Sequence, residues 1–214
     1  MFLDKMPLII SINGNIACGK STLLRKLEER GNSVIMEGLD RLEWGDVLSM
    51  YYENPARYGF LFQTLIAVEM KETFSRLRRS TGSSGATFTE RSHIDCLAFA
   101  RLVWRRSDMT NVEYQTFKRL FDIIYEKPDV VISLELNPKV CFERCKVRGR
   151  SCESVVTLAY LQAVHDSTLE IMREAPPLQH FTVDVLGKTT DAIADEVETI
   201  ARDILRTEIE STTI

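Results

Sequence analysis

The residues Gly14-Asn15-Ile16-Ala17-Cys18-Gly19-Lys20-Ser21, with Thr22 behind them, fit the pattern G-x-x-x-x-G-K-[ST]. The chemistry of a phosphate cradle asks for these residue types. Glycines let the backbone curl so that its N–H groups point inward at phosphate oxygens. A lysine at the position of Lys20 reaches the β- and γ-phosphates, and a hydroxyl at Ser21 suits Mg²⁺, a hard ion that prefers oxygen. The setting is the required one. Pro7 to Asn13 is an apolar, β-branched run that reads as a buried strand, and Lys20 to Arg30 reads as a helix that Gly31 and Asn32 end. A helix beginning at the loop adds its positive end to the phosphate site. The segment therefore predicts binding of a nucleoside triphosphate with Mg²⁺ and leaves the phosphate acceptor open.

Transfer to a hydroxyl needs an oriented acceptor, a base for its proton and cations over the moving group. In a parallel sheet such groups belong at the carboxyl ends of strands. Glu37 closes a short run, Ser33 to Met36, that reads as a second strand. Glu90 closes a third, Thr87 to Glu90, and Arg91 and Ser92 follow it. A basic cluster, Arg144, Lys146, Arg148 and Arg150, leads to Glu153. Arginine meets phosphate oxygens in pairs through its planar fork, so this stretch, about 144–153, reads as a lid over the triphosphate.

The remaining elements must position these groups. Helical periodicity runs over Arg57–Arg79, His93–Arg106, Asn111–Tyr125, from Pro138 to about Val147, from about Thr157 to Glu174, and over Ala192–Arg206. Val130–Leu136 and His180–Leu186 read as the fourth and fifth strands. The stretch 80–86 (STGSSGA) reads as a flexible surface loop. Strands alternating with helices predict an α/β fold with a five-stranded parallel sheet flanked by helices, built as one domain over 1–214.

Composition excludes other classes. The chain has 214 residues, 44% of them hydrophobic, which is too apolar for disorder. No apolar run approaches the ~18 residues of a membrane span. With 27 basic against 31 acidic residues the net charge is −4, which argues against a nucleic-acid partner. The five cysteines, Cys18, Cys96, Cys141, Cys145 and Cys152, match no zinc spacing and read as reduced thiols of a cytoplasmic protein. The segment Met1–Met6 is too short for a transit peptide, and no targeting signal is expected.

These residues resemble the deoxyribonucleoside kinase family. The likeness rests on five motifs in order: the phosphate loop through Thr22, Glu37, the block Tyr52-Glu-Asn-Pro-Ala-Arg-Tyr-Gly-Phe-Leu-Phe-Gln63, Glu90-Arg91-Ser92, and Arg144 to Glu153. It extends from residue 7 to about 186. It implies a P-loop NTPase-type three-layer fold with an arginine-rich lid, and ATP-dependent phosphorylation of a deoxyribonucleoside 5′-hydroxyl with Mg²⁺ as cofactor. It also implies a homodimer. Residue by residue, Glu37 matches the general base, Arg91 the arginine near the hydroxyl, and Glu90 the carboxylate on the metal side with Ser21. Tyr52 and Glu153 match the pair holding the sugar 3′-hydroxyl. Gln63 matches the glutamine that reads the base edge, and Trp44 the tryptophan lining the base pocket. Arg144, Arg148 and Arg150 match the lid arginines. Taken alone, Tyr52 also fits a core aromatic, Gln63 an exposed helix residue and Trp44 a surface indole.

The pocket positions Met70 and Cys96 are uncharged here, where cytosine- and purine-preferring relatives carry Arg and Asp. This leans towards thymidine and other pyrimidines, or towards broad specificity. Two positions depart from the family pattern. Gly38 stands where a proline usually follows the base, and Ala100 stands where a phenylalanine stacks on the nucleobase, with Trp104 a candidate to replace that ring. The competing readings are a nucleoside monophosphate kinase of the thymidylate type, which a carboxylate at Glu37 disfavours by repelling a phosphorylated acceptor, and a non-catalytic nucleotide-binding switch.

Overall fold

The computed structural model describes residues 7–36, 42–79, 85–149 and 156–212, without the side chains at 42–46, 208, 209, 211 and 212. Five strands form one parallel sheet: β1 (Leu8–Gly14), β2 (Ser33–Ile35), β3 (Ala86–Glu90), β4 (Val130–Glu135) and β5 (Gln179–Asp184), in the spatial order β2-β3-β1-β4-β5. Eight helices accompany them among the described residues: α1 (Lys20–Glu29), α2 (Leu42–Glu53), α3 (Pro55–Arg79), α4 (His93–Arg105), α5 (Asn111–Ile124), α6 (Pro138–Arg148), α7 (Leu158–Glu174) and α8 (Thr190–Thr212). None of them is long and apolar enough to cross a membrane.

The central strand explains the layering. Ile9, Ile10 and Ile12 of β1 are fully buried. Alternation sends Ile10 and Ile12 to one face, where they join Leu23, Leu24 and Leu27 of α1 and Val197 of α8. The other face is covered by α4 and α7, through Ile94, Ala98 and Ile171 against Val131 of β4. A second core lies off the sheet, where Tyr51, Phe62, Ala100, Val103, Phe117 and Phe121 bring α2, α3, α4 and α5 together. Gly59 lets α3 and α4 touch closely. A Cβ built there would stand 2.7 Å from Val103 Cγ1 and 2.9 Å from the Asp108 carbonyl oxygen.

Register fixes where chemistry can occur. Ile12 pairs with Glu90 and Gly14 with Leu134, so the carboxyl ends of β3, β1 and β4 finish side by side. The expected strand and helix order holds. Several elements differ in extent: β3 begins at Ala86, inside the expected loop, α3 begins two residues early at Pro55, β5 ends at Asp184 rather than Leu186, and α8 runs six residues beyond Arg206, to Thr212. One helix, α2, had no counterpart in the sequence reading. Gly45 interrupts its pattern and its end (Val47-Leu48-Ser49-Met50-Tyr51-Tyr52) is rich in residues that favour strands. Cys18, Cys96, Cys141 and Cys145 are buried and in no disulfide among the described residues, and Cys152 lies outside them.

Candidate active site

A cavity of about 1100 Å³ opens over the carboxyl ends of the central strands. The phosphate loop forms its floor. Gly14 has φ 143°, and a Cβ there would stand 2.8 Å from both Cys18 Sγ and the Leu134 carbonyl oxygen, so only glycine lets the loop leave β1 this close to β4. Asn15 ties the loop to α7 by donating from Nδ2 to the Leu161 carbonyl at 2.9 Å, while its Oδ1 accepts from Ile16 N at 2.8 Å. Lys20, 5% exposed, donates to the carbonyls of Gly14 at 2.8 Å and Asn15 at 2.9 Å. Its ammonium is thus held under the curled backbone, where the loop's own carbonyls fix it beside the phosphate cradle.

Oxygen donors stand next to it. Ser21 Oγ donates to Glu90 Oε1 at 2.7 Å, which joins the first turn of α1 to the end of β3. Among the described residues no cluster of three or more His, Cys, Asp or Glu side chains could hold a metal alone. The Ser21 hydroxyl and Glu90 carboxylate do fit Mg²⁺, which takes one or two protein oxygens and completes its shell with water and substrate phosphates. The opposite wall is cationic. Arg144 Nη1 donates to the Cys18 carbonyl at 3.1 Å, and Arg148, one helical turn on along α6, also lines the cavity. Asn137 caps that helix and Pro138 opens it, which aims both arginines from a rigid element.

The acceptor side comes from α2, α3 and α4. Tyr52 and the buried Gln63 line the cavity together with Arg91 and Cys96. Cys96 Sγ lies 3.9 Å from Met70 Sδ, but Met70, expected at the pocket, is not among the residues lining the cavity and packs against the second core behind Cys96. Arg91 adopts φ 66°, an uncommon conformation for a residue with a side chain, and its guanidinium sits 4.9 Å over the Phe99 ring.

Of the expected site residues, Ile16, Ala17, Gly19, Lys20, Ser21, Thr22, Tyr52, Gln63, Glu90, Arg91, Cys96, Arg144 and Arg148 meet at this one cavity. Gly14, Asn15 and Cys18 support the loop from behind. Glu37, Arg150 and Glu153 lie outside the described residues, as does the side chain of Trp44. Ala100 is fully buried in the second core. The suggestion that Trp104 replaces a stacking ring is corrected: Trp104 stacks on Tyr114 at 4.7 Å, and the aromatic that faces the cavity from α4 is Phe99, one position earlier.

The sequence reading also missed Tyr51, Tyr160 and Asp95, which line the same cavity. Burial pushes both phenols up. Asp95 is 3% exposed, and burial pushes its carboxyl above the ordinary range while the charges of Arg91 and Lys20 pull it down. A signal for it was present, since Ser92-His-Ile-Asp95 is a capping box opening α4 and a capping box fixes where its acid points.

Compared with known proteins, residues 10–209 match the family model for deoxynucleoside kinase. The chain belongs to the deoxynucleoside kinase family. Its members are phosphotransferases of the P-loop NTPase fold, and the parallel sheet and loop described above are that fold. A putative deoxynucleoside kinase of Frog virus 3 (isolate Goorha) is 30% identical over 160 residues, covering 75% of this chain and 80% of that protein. Human mitochondrial thymidine kinase 2 is 30% identical over 168 residues, covering 73% of this chain and 61% of that protein. Human deoxycytidine kinase is 30% identical over 192 residues, covering 73% of this chain and 72% of that protein. These deoxynucleoside kinases thus include relatives named for different bases at equal identity.

Proposed function

We propose that this protein transfers the γ-phosphate of ATP to the 5′-hydroxyl of a deoxyribonucleoside, with a preference for thymidine and other pyrimidines or a broad range of bases. The observation that carries this reading is the single cavity. The phosphate loop, the Ser21–Glu90 pair, the arginines of α6 and the Tyr52, Gln63 and Cys96 walls all open onto it. Lys20, Arg144 and Arg148 hold the triphosphate and offset charge on the transferring group. Ser21 and Glu90 would hold Mg²⁺, which when bound neutralises charge on the β- and γ-phosphates. Arg91 and Glu37 serve the acceptor hydroxyl, Glu37 as its base. Tyr52 and Glu153 hold the sugar, and Gln63, whose amide donates and accepts at once, reads the base edge beside Trp44. Cys96 on the cavity wall, with Met70 behind it, adds no charge against a base, which supports the pyrimidine or broad preference. A homodimer is part of the same reading, checked by light scattering at twice the chain mass.

The test is ADP release with MgATP against thymidine, deoxycytidine, deoxyadenosine, deoxyguanosine, thymidine monophosphate and no acceptor, with Glu37→Gln alongside. The reading expects nucleoside-dependent turnover that falls by at least ~100-fold in the variant, as for a lost general base. Turnover with the monophosphate alone would establish a thymidylate-type kinase. Tight ATP binding with no acceptor-dependent turnover would establish a switch.

A further inference from the structure

Asp95 has a property that its capping role does not use. It is 3% exposed and lines the cavity wall. Its Oδ2 accepts the backbone N–H of Ser92 at 3.1 Å, which completes the capping box of α4. Its other carboxylate oxygen accepts no hydrogen bond from the described residues. A carboxylate oxygen on a cavity wall with no donor from the protein takes its donor from water or from a bound ligand.

The surroundings say which donor. Burial is the strongest influence on Asp95 and holds its carboxyl above the ordinary range, with Glu90 adding to this, while Arg91 and Lys20 favour the charged form. Tyr125 feels its charge from the end of α5. Lys20 marks the end of the cavity where the transferable phosphate lies. Cys96, the next residue on α4, marks with Gln63 the end where the proposed function puts the base. Asp95 lines the same cavity as both, directly before Cys96 in α4 and close enough to Lys20 to feel its charge. A carboxylate there repels phosphate oxygens and attracts a hydrogen-bond donor. The donor that phosphoryl transfer itself places beside the γ-phosphate is the acceptor hydroxyl.

We propose that the unpartnered oxygen of Asp95 accepts a hydrogen bond from the 5′-hydroxyl of the bound nucleoside, making Asp95 a second acceptor-side carboxylate beside Glu37. The proposal rests on the nucleoside kinase reading and adds a substrate contact made by this chain's own sequence. It orients the hydroxyl towards the phosphate before transfer.

The experiment is calorimetric binding to the full chain of whichever of the four deoxynucleosides binds most tightly, and of its 5′-deoxy and 3′-deoxy analogues. Wild type, Asp95→Asn and Asp95→Ala are compared. Asparagine keeps an acceptor for Ser92 N, so it carries the test if the alanine variant does not fold. The preference for the parent nucleoside over its 5′-deoxy analogue is expected to shrink by at least ~10-fold in both variants, as for a lost hydrogen bond to a charged group. The preference over the 3′-deoxy analogue is expected to stay within ~2-fold. An unchanged 5′ preference, or collapse of the 3′ preference instead, overturns the proposal and leaves the kinase reading standing. Wild-type protein that binds none of the four nucleosides overturns both.

Discussion

His93 gives the protein a built-in sensitivity to acid. It is the first residue of α4, 1% exposed, with its ring 5.0 Å from that of Tyr125. Neither ring nitrogen has a hydrogen-bond partner of normal geometry among the described residues. Burial holds the imidazole neutral and the charge of Lys127 adds to this, while the Ala175 backbone pulls the other way; together they lower its pKa from 6.5 to about 4. The folded protein therefore binds this proton less readily than the unfolded chain. Stability from this group is fully present above the unfolded value and is lost as pH falls from about 6.5 towards 4. Lowering from 6.5 to about 4 corresponds to about 3.4 kcal/mol, of which about 2 kcal/mol is lost between pH 7.5 and 5.0. For a chain of this size that is roughly 4–8 °C in Tm. Urea unfolding of wild type and His93→Leu at the two pH values isolates the effect, because the carboxylates titrate alike in the two proteins and any packing change is alike at the two pH values. The wild type should lose about 2 kcal/mol more than the variant on acidification. Equal losses in the two proteins would refute the claim that His93 is buried neutral.

The other predictions concern the loop and the helix contact. Lys20→Ala should weaken ATP binding at least ~10-fold by calorimetry, since the loop loses both its cation and the donor to two carbonyls. Unchanged affinity would remove Lys20 from the phosphate site. Gly14→Ala should destabilise by about 2–4 kcal/mol and abolish ATP binding, because φ 143° and two 2.8 Å contacts force β1 from β4. A Tm within a degree of wild type contradicts that. Gly59→Ala should cost about 1–3 kcal/mol through overpacking against Val103 and the Asp108 backbone. ATP affinity should stay intact, and a loss of affinity greater than of stability would show that the α3–α4 contact shapes the site.

Much of this site was legible because its chemistry is contiguous in sequence. The phosphate loop spans neighbouring residues with a strand before and a helix after, and the strand-end position of Glu90 follows from a short apolar run closing on an acid. The registers Ile12–Glu90 and Gly14–Leu134 then bring those ends together, as a parallel sheet must. What was not legible depends on rotation about a helix axis. One residue separates Ala100, buried in the core, from Phe99, on the cavity wall, and only the packed orientation of α4 shows which of the two positions faces the cavity. Asp95 carried a capping signal, yet only tertiary packing shows that it lines the cavity. Helix α2 was hidden by Gly45 and a β-prone tail, because packing of Tyr51 on Phe62 at 5.0 Å outweighs local propensity.

The most direct measurement is the fate of the γ-phosphate. The protein is incubated with γ-labelled MgATP and each of the four deoxynucleosides, and the labelled product is identified by chromatography. The account predicts label in a deoxynucleoside 5′-monophosphate, with thymidine or deoxycytidine among the accepted substrates. Label only in inorganic phosphate, or transfer only to an added monophosphate, would contradict it.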